Sequence, residues 1–248
     1  NNYFITNPGS GPSCQVVGGE TLCAEFPVPR RQYLGLIFTA RKRLSNHYQL
    51  LASYTLSRLS GNFPGLYSVD NDQADPNISS TYDLVSLLAN REGRLPGDHT
   101  HNFKFSGSYE FGGVDRRLAG LTLGLQIRAE SGGPTNYLAR HSVYGLGEAF
   151  LLPRGSGDEL PWLFNMDVSV NYEIPVTQGV KLALNLAIFN VFNSQTETRV
   201  DESYTFRSAD PIPNGTVADL QNLQVCTVNS CNPGSGNRTR TIDSTNPN

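Results

Sequence analysis

The sequence predicts an all-β fold, an antiparallel segment of a transmembrane β-barrel, and three observations lead there. Long stretches alternate apolar and polar residues, the period-two signature of strands with two unlike faces. The connections between them are short and long by turns. Aromatic residues gather toward both ends of the apolar faces.

Composition sets the bounds. The chain has 248 residues, 17% charged and 38% hydrophobic, which is too apolar for a disordered segment. Its 19 basic residues are scattered and the formal net charge is −3, so no basic face is available to follow a nucleic-acid backbone. No apolar run approaches the roughly 20 residues of a membrane-spanning helix. The nearest, Leu182 to Phe189, is short and interrupted by Asn185. No basic stretch followed by an apolar one opens the chain, so an export signal is expected to lie outside it.

Residues 1–30 read as an outer loop and residues 31–192 as six transmembrane strands with two long outer loops, 60–98 and 131–162. In the first strand, Tyr33 to Arg43, Leu34, Leu36, Phe38 and Ala40 oppose Tyr33, Gly35, Thr39 and Arg41. A short turn at Ser45 and Asn46 leads to the second, where Tyr48, Leu50, Ala52, Tyr54 and Leu56 share a face. HNFKFSGSYEF sets Phe103, Phe105, Tyr109 and Phe111 against Lys104, Ser106, Ser108 and Glu110. LTLGLQIRAE alternates without an error, Leu121 through Ala129 against Thr122 through Glu130. LFNMDVSVNYEI sets Phe164, Met166, Val168, Val170, Tyr172 and Ile174 against Asn165, Asp167, Ser169, Asn171 and Glu173. VKLALNLAIFNVF is the least clean, because Ala183, Ala187 and Phe189 stand on its second face. Residues 193–248 read as a further outer loop, with a closing strand expected beyond the chain.

A soluble sandwich would also alternate, but its strands average five or six residues. The runs here, about 10 to 13 residues, match the roughly 9 to 11 that cross a bilayer at a tilt. Connections at 44–46, 112–120 and 175–179 are short and alternate with the long ones, as periplasmic turns alternate with extracellular loops. Tyr48, Tyr109, Phe111 and Tyr172 lie beside the short turns, and Tyr54, Phe103 and Phe164 toward the long loops, as two interfacial girdles require. Lys42 is the one charge expected on an apolar face, at a turn end where its amine reaches headgroups. Six strands leave two open edges, and an unpaired edge in hydrocarbon costs several kcal/mol per orphaned group. Further strands, or other copies of the chain, are therefore expected to complete the barrel.

RRQYLGLIFTARKRLSNHYQLLASYTLSRLSGNFPGL, LPGDHTHNFKFSGSYEF, GLTLGLQIRAESGGPTNYL and LAIFNVFNSQTE resemble successive segments in the C-terminal half of TonB-dependent outer-membrane receptors, particularly the Oar-like group. The likeness extends to loop text such as DPNISSTYDLVSLLANR, YGLGEAFLLPRGSG and VDESYTF. The resemblance implies a barrel of about 22 strands, filled by an N-terminal plug and energised by TonB through a motif at the plug's start. Plug, TonB-contacting motif, earlier strands and closing strand are absent from this sequence.

Cys14 with Cys23, and Cys226 with Cys231, read as two local disulfides in outer loops. A four-cysteine zinc site is the rival, but neither spacing is C-x₂-C and no histidine is near. Asp70, Asp72 and Asp75 could offer oxygen ligands to Ca²⁺, yet the stretch lacks the glycine and distal glutamate of an EF-hand and reads as a solvated acidic loop. Asp98, His99 and His101 read as a rim position, with the histidines on one face of a strand start, rather than as a metal site. Gly112, Gly113, Gly132 and Gly133 read as turn residues. No nucleophile, acid/base pair or phosphate loop has a recognisable motif, so neither enzyme activity nor a cofactor or metal is expected. Asn77, Asn214 and Asn237 open glycosylation sequons that carry meaning only on a eukaryotic route.

The expectation is a wall section of a receptor in the bacterial outer membrane, loops extracellular, serving TonB-driven uptake or translocation of a scarce or bulky substrate that the sequence does not spell. Its expected partners are outer-membrane lipid, the plug and remaining strands, TonB by way of the plug, and that extracellular substrate. Arg41, Lys104, Arg128, Asp167 and Glu173 are the candidate lumen-facing polar residues. The alternative is a surface scaffold or adhesion barrel that binds partners through its loops without transport. A third is an assembly in which the open edges pair with identical chains.

Overall fold

The computed structural model describes residues 12–17, 20–71, 75, 80–113, 118–226 and 240–242. In chain order its strands are β1 (Pro12–Val17), β2 (Glu20–Glu25), β3 (Arg31–Ser45), β4 (Tyr48–Gly61), β5 (Gly93–Arg94), β6 (His101–Glu110), β7 (Leu121–Glu130), β8 (Leu138–His141), β9 (Gly145–Phe150), β10 (Leu163–Thr177), β11 (Val180–Ile188), β12 (Ser203–Ser208), β13 (Gln224–Cys226) and β14 (Arg240–Ile242). The chain is all-β. Among the described residues no helix is long and apolar enough to cross a membrane.

The main sheet runs β11-β10-β7-β6-β4-β3, with β5 added beside β4, and every pairing in it is antiparallel. Each long strand thus lies beside its neighbour in sequence, as an up-and-down barrel wall does. Register keeps like with like. Phe38, Tyr54, Phe103, Ala129 and Phe164 form one row across the sheet, and Ala40, Ala52, Phe105, Ile127 and Met166 the next. Between them runs a polar row of Thr39, Ser53, Lys104, Arg128 and Asn165. A slip of one residue at any ladder would carry a whole strand's apolar set to the polar face, so the alternation itself fixes the register.

Among the described residues no second layer covers the apolar face. Leu36 is 60% exposed, Phe38 62% and Leu186 62%, and even in the middle of the sheet Leu123 stays 38% exposed. A soluble protein would bury these rows. The buried hydrophobic core lies instead among the long connections, around Leu151, Leu152, Leu220, Leu223 and Val225.

Aromatics mark both ends of the exposed face. Toward the long loops, Phe38 stacks on Tyr54, Tyr54 on His101 and His101 on Trp162. Beside the short turns, Tyr48 is the register partner of Tyr109, which meets Phe111 edge-on at 4.9 Å. Lys42 curls over the β3–β4 turn, 3.6 Å from the Tyr48 ring centroid, and donates to the Ser45 carbonyl at 2.7 Å. The turn's central residues are Asn46 and His47, both with positive φ (51° and 67°), the handedness that suits a two-residue hairpin. One expectation is corrected. β4 continues past Ser57 to Gly61, which places Arg58 opposite Leu34 as a second charge on the apolar face, outside the aromatic row.

Ile127→Arg, in the middle of the apolar face, is expected to cost the assembled barrel about 2–4 kcal/mol in a bilayer, and Gln126→Arg on the opposite face less than about 1 kcal/mol. Denaturant titration of the complete protein refolded in lipid vesicles reads the difference, and equal costs would contradict the assignment of faces.

Candidate functional site

The polar face lines two open hollows. The larger, about 690 Å³, has Arg41, Arg43, Gln49, Ser106, Gln126 and Asp167 among its lining. The smaller, about 290 Å³, lies toward the long loops, with Tyr33, Ser57, His99 and Lys104. Register places Arg41, Lys104, Arg128, Asp167 and Glu173 all on this face. They do not converge on one point. Arg128 donates to Glu130 at 2.6 Å, Lys181 to Glu173 at 2.9 Å, and the Asp167 carboxylate accepts from the backbone N–H of Asn190 at 2.8 Å.

The two histidines part company. His101 begins β6 and turns to the apolar face, its Nδ1 2.8 Å from the Tyr54 hydroxyl. His99 precedes the strand and lines the smaller cavity, with Nδ1 2.6 Å from the Ser131 carbonyl and Nε2 3.3 Å from Glu130. They do not share a face, because the period-two rule applies only from His101 onward. Asp98 is buried and joins strand to loop, accepting from the Leu59 backbone N–H at 2.6 Å and from Arg94 Nε at 2.6 Å. Among the described residues no three His, Cys, Asp or Glu side chains are grouped to hold a metal ion.

Above the sheet the long connections build a compact cluster. β8 pairs with β9 antiparallel and with β12 in parallel, and their apolar faces close over Leu151, Leu152, Leu220 and Val225. Charge is buried here too. Arg91 donates to Glu148 at 2.7 Å, and Arg154 lies 3.0 Å from Asp70 with both side chains almost wholly enclosed. Both guanidinium groups lie over the Phe150 ring, Arg91 at 4.9 Å and Arg154 at 4.8 Å from its centroid. Burial pushes the Arg154 guanidinium down to about 10, against the opposing pull of Asp70. Asp70 is thereby committed to Arg154, and to Asn136 at 3.4 Å, rather than offered to a cation with Asp75; Asp72 lies outside the described residues. Gly132 is no turn residue: a Cβ there would fall 1.7 Å from the Leu160 carbonyl, so its bareness lets two loop backbones touch.

The cluster has no catalytic arrangement among the described residues. His141 Nε2 lies 3.4 Å from Ser86 Oγ, but its Nδ1 accepts the backbone N–H groups of Val143 and Tyr144. A base of the Ser-His-Asp kind needs Nδ1–H held by a carboxylate. These loop strands escaped the sequence reading, although AFLLP, residues 149–153, is the apolar run that anchors them. At the chain's start Cys14 and Cys23 are direct register partners of β1 and β2. Cys226 closes β13, and Cys231 lies outside the described residues.

Asp70→Asn would leave Arg154 buried without its carboxylate, at a cost of about 3–5 kcal/mol to the loop cluster. Amide exchange at Leu151 and Val225 should speed accordingly while β6 and β7 keep their protection, and unchanged exchange at both would refute the role of the pair. Burial raises the Glu202 carboxyl above its ordinary value, with the Asn136 bond opposing. A carboxyl raised on folding favours the protonated folded form, so cluster stability falls as pH climbs from the ordinary carboxylate value through the raised one. Glu202→Gln should flatten that decline, as followed by amide exchange between pH 4 and 8, and an unaltered pH slope would refute it.

No family model matches the chain, and no solved structure matches it. Among curated proteins, the TonB-dependent transporter Oar of Myxococcus xanthus is 40% identical over 223 residues, which cover 90% of this chain and 20% of that protein. The chain therefore spans about a fifth of its relative's length. An antiparallel sheet that keeps its apolar side bare agrees with the resemblance read from its sequence, and over nine-tenths of its length the chain is a relative of the Oar-type TonB-dependent transporters.

Proposed function

We propose that this chain is a section of barrel wall, with its outer loops, in a TonB-dependent transporter of the bacterial outer membrane, and that the complete protein takes up or translocates a scarce or bulky substrate. The observation that carries the reading is the uncovered apolar face, whose one charge between the two aromatic rims is Lys42 with its amine curled over Tyr48, opposite a polar face that lines open hollows. Lipid is the environment that makes such a face favourable rather than costly. The polar face is then the lumen wall, where Arg41, Lys104, Arg128, Asp167 and Glu173 meet water, plug or substrate. The edges of β3 and β11 continue into strands outside this chain. TonB acts by way of a plug, also outside this chain.

In the same reading the clustered connections form the extracellular surface. Its buried ion pairs and apolar core hold a fixed shape for recognition. Two disulfides, Cys14–Cys23 and Cys226–Cys231, would staple its margins, and the register of β1 with β2 supports the first.

Cells expressing the complete gene should carry the protein in the outer-membrane fraction, extractable by detergent only. Both cysteine pairs should resist alkylation until reduced, and growth on the transported substrate should fail equally when the protein or TonB is removed. Recovery in the aqueous fraction would overturn the membrane reading. Outer-membrane recovery with growth indifferent to TonB would favour the scaffold.

A further inference from the structure

We infer that the outer rim of the apolar face carries a binding site for the phosphate of an outer-leaflet lipid, built from Arg58, His101 and Trp162. The inference rests on the reading of that face as the lipid-facing wall. Arg58 stands on β4 opposite Leu34, on the apolar side of the sheet. It lies four residues beyond Tyr54 of the outer aromatic row, about 13 Å along the strand and about 9 Å in height at a tilt of about 45°. That is the level of the headgroups, not of the acyl chains.

The protein leaves this charge unmatched while it pairs others nearby. Arg30 is held by Glu92, and Arg94 by Asp98 and Glu159. Arg58 has no ion pair or hydrogen bond among the described residues. Asp98, which meets β4 at this level, is buried, and its two oxygens accept from the Leu59 backbone N–H and from Arg94 Nε, both at 2.6 Å. Glu130 belongs to the polar face and accepts from Arg128. At headgroup height the counter-ion on offer is a lipid phosphate, whose oxygens fit the planar guanidinium fork two at a time.

Two neighbours on the same face add donors. His101 is the register partner of Leu56, which makes it a diagonal neighbour of Arg58, about 7–8 Å away. Its Nδ1 meets the Tyr54 hydroxyl at 2.8 Å; with Tyr54 donating, the ring proton sits on Nε2 and points to no protein acceptor among the described residues. Trp162 stacks on His101 at 5.7 Å, half-exposed, and its indole N–H likewise has no acceptor there. On the hydrocarbon side of this group Leu34, Leu36 and Leu56 present bare apolar surface. A dissolved phosphate gains only from the donors, whereas an amphiphile also covers the leucines, which favours a lipid as the occupant.

The test titrates the complete protein, purified in a neutral detergent, with bisphosphorylated lipid A and counts bound lipid by native mass spectrometry. Arg58→Gln should weaken binding about tenfold, the loss of one charge-assisted contact. Arg58→Lys, which keeps the charge without the fork, should recover part of that loss. Lipid A stripped of its phosphates should bind the parent no better than the intact lipid binds Arg58→Gln. Arg41→Gln, on the polar face, should bind as the parent does. Equal binding by parent and Arg58→Gln overturns the site, as does a loss of the same size in Arg41→Gln. Full displacement of the lipid by millimolar inorganic phosphate means a site for the dissolved ion, and also overturns it. Recovery of the parent from cells in the aqueous fraction would instead overturn the membrane reading beneath the inference.

Discussion

The structure depends on one constraint: a sheet whose apolar face has no protein to lie against must find an apolar solvent. Everything else follows from keeping that face intact. Antiparallel register holds apolar rows together across β3, β4, β6, β7, β10 and β11, and the period of two sends every intervening polar residue to the other side. The hydrophobic effect that normally collapses a domain around such a face acts here only on the loops, where the chain's buried core is found. In the sheet, backbone hydrogen bonding carries the order, as it must where no water is available to satisfy a lone N–H or C=O.

The two rims solve a boundary problem. Tyr48, Tyr109 and Lys42 at one end, and Phe38, Tyr54, His101 and Trp162 at the other, each offer an apolar body with a polar tip or a ring able to sit at a headgroup. Arg58, beyond the outer row, has its charge where snorkelling is short. On the polar side Arg128 and Glu130, two residues apart on β7, neutralise one another.

Much of the sheet was legible in the sequence because its rule is local. Leu121 to Glu130 is bounded in the structure as the alternation bounds it, whereas the turns are tighter than it suggests: Ser45 pairs with Tyr48 and leaves Asn46 and His47 to turn, and β10 runs on through Pro175 to Thr177. The loop cluster was not legible, since β8, β9 and β12 are short and the parallel pairing of β8 with β12 joins residues more than sixty positions apart. Asp70 looked like one of three solvated carboxylates, and only tertiary placement reveals it beneath Arg154. His99 and His101 looked like neighbours on one face, and only the start of β6 at His101 separates them. Alternation names the face of a strand residue but is silent for a residue one step outside.

The most direct measurement walks a spin label along residues 121–130 of the complete protein in bilayers and records collision with oxygen, which concentrates in lipid, and with a water-soluble nickel chelate. The account predicts a two-residue oscillation, oxygen contact highest at Leu123, Leu125 and Ile127 and nickel contact highest at Thr122, Gln126 and Arg128. Equal nickel contact at both sets, or the exclusion of both reagents from the leucines, would contradict it.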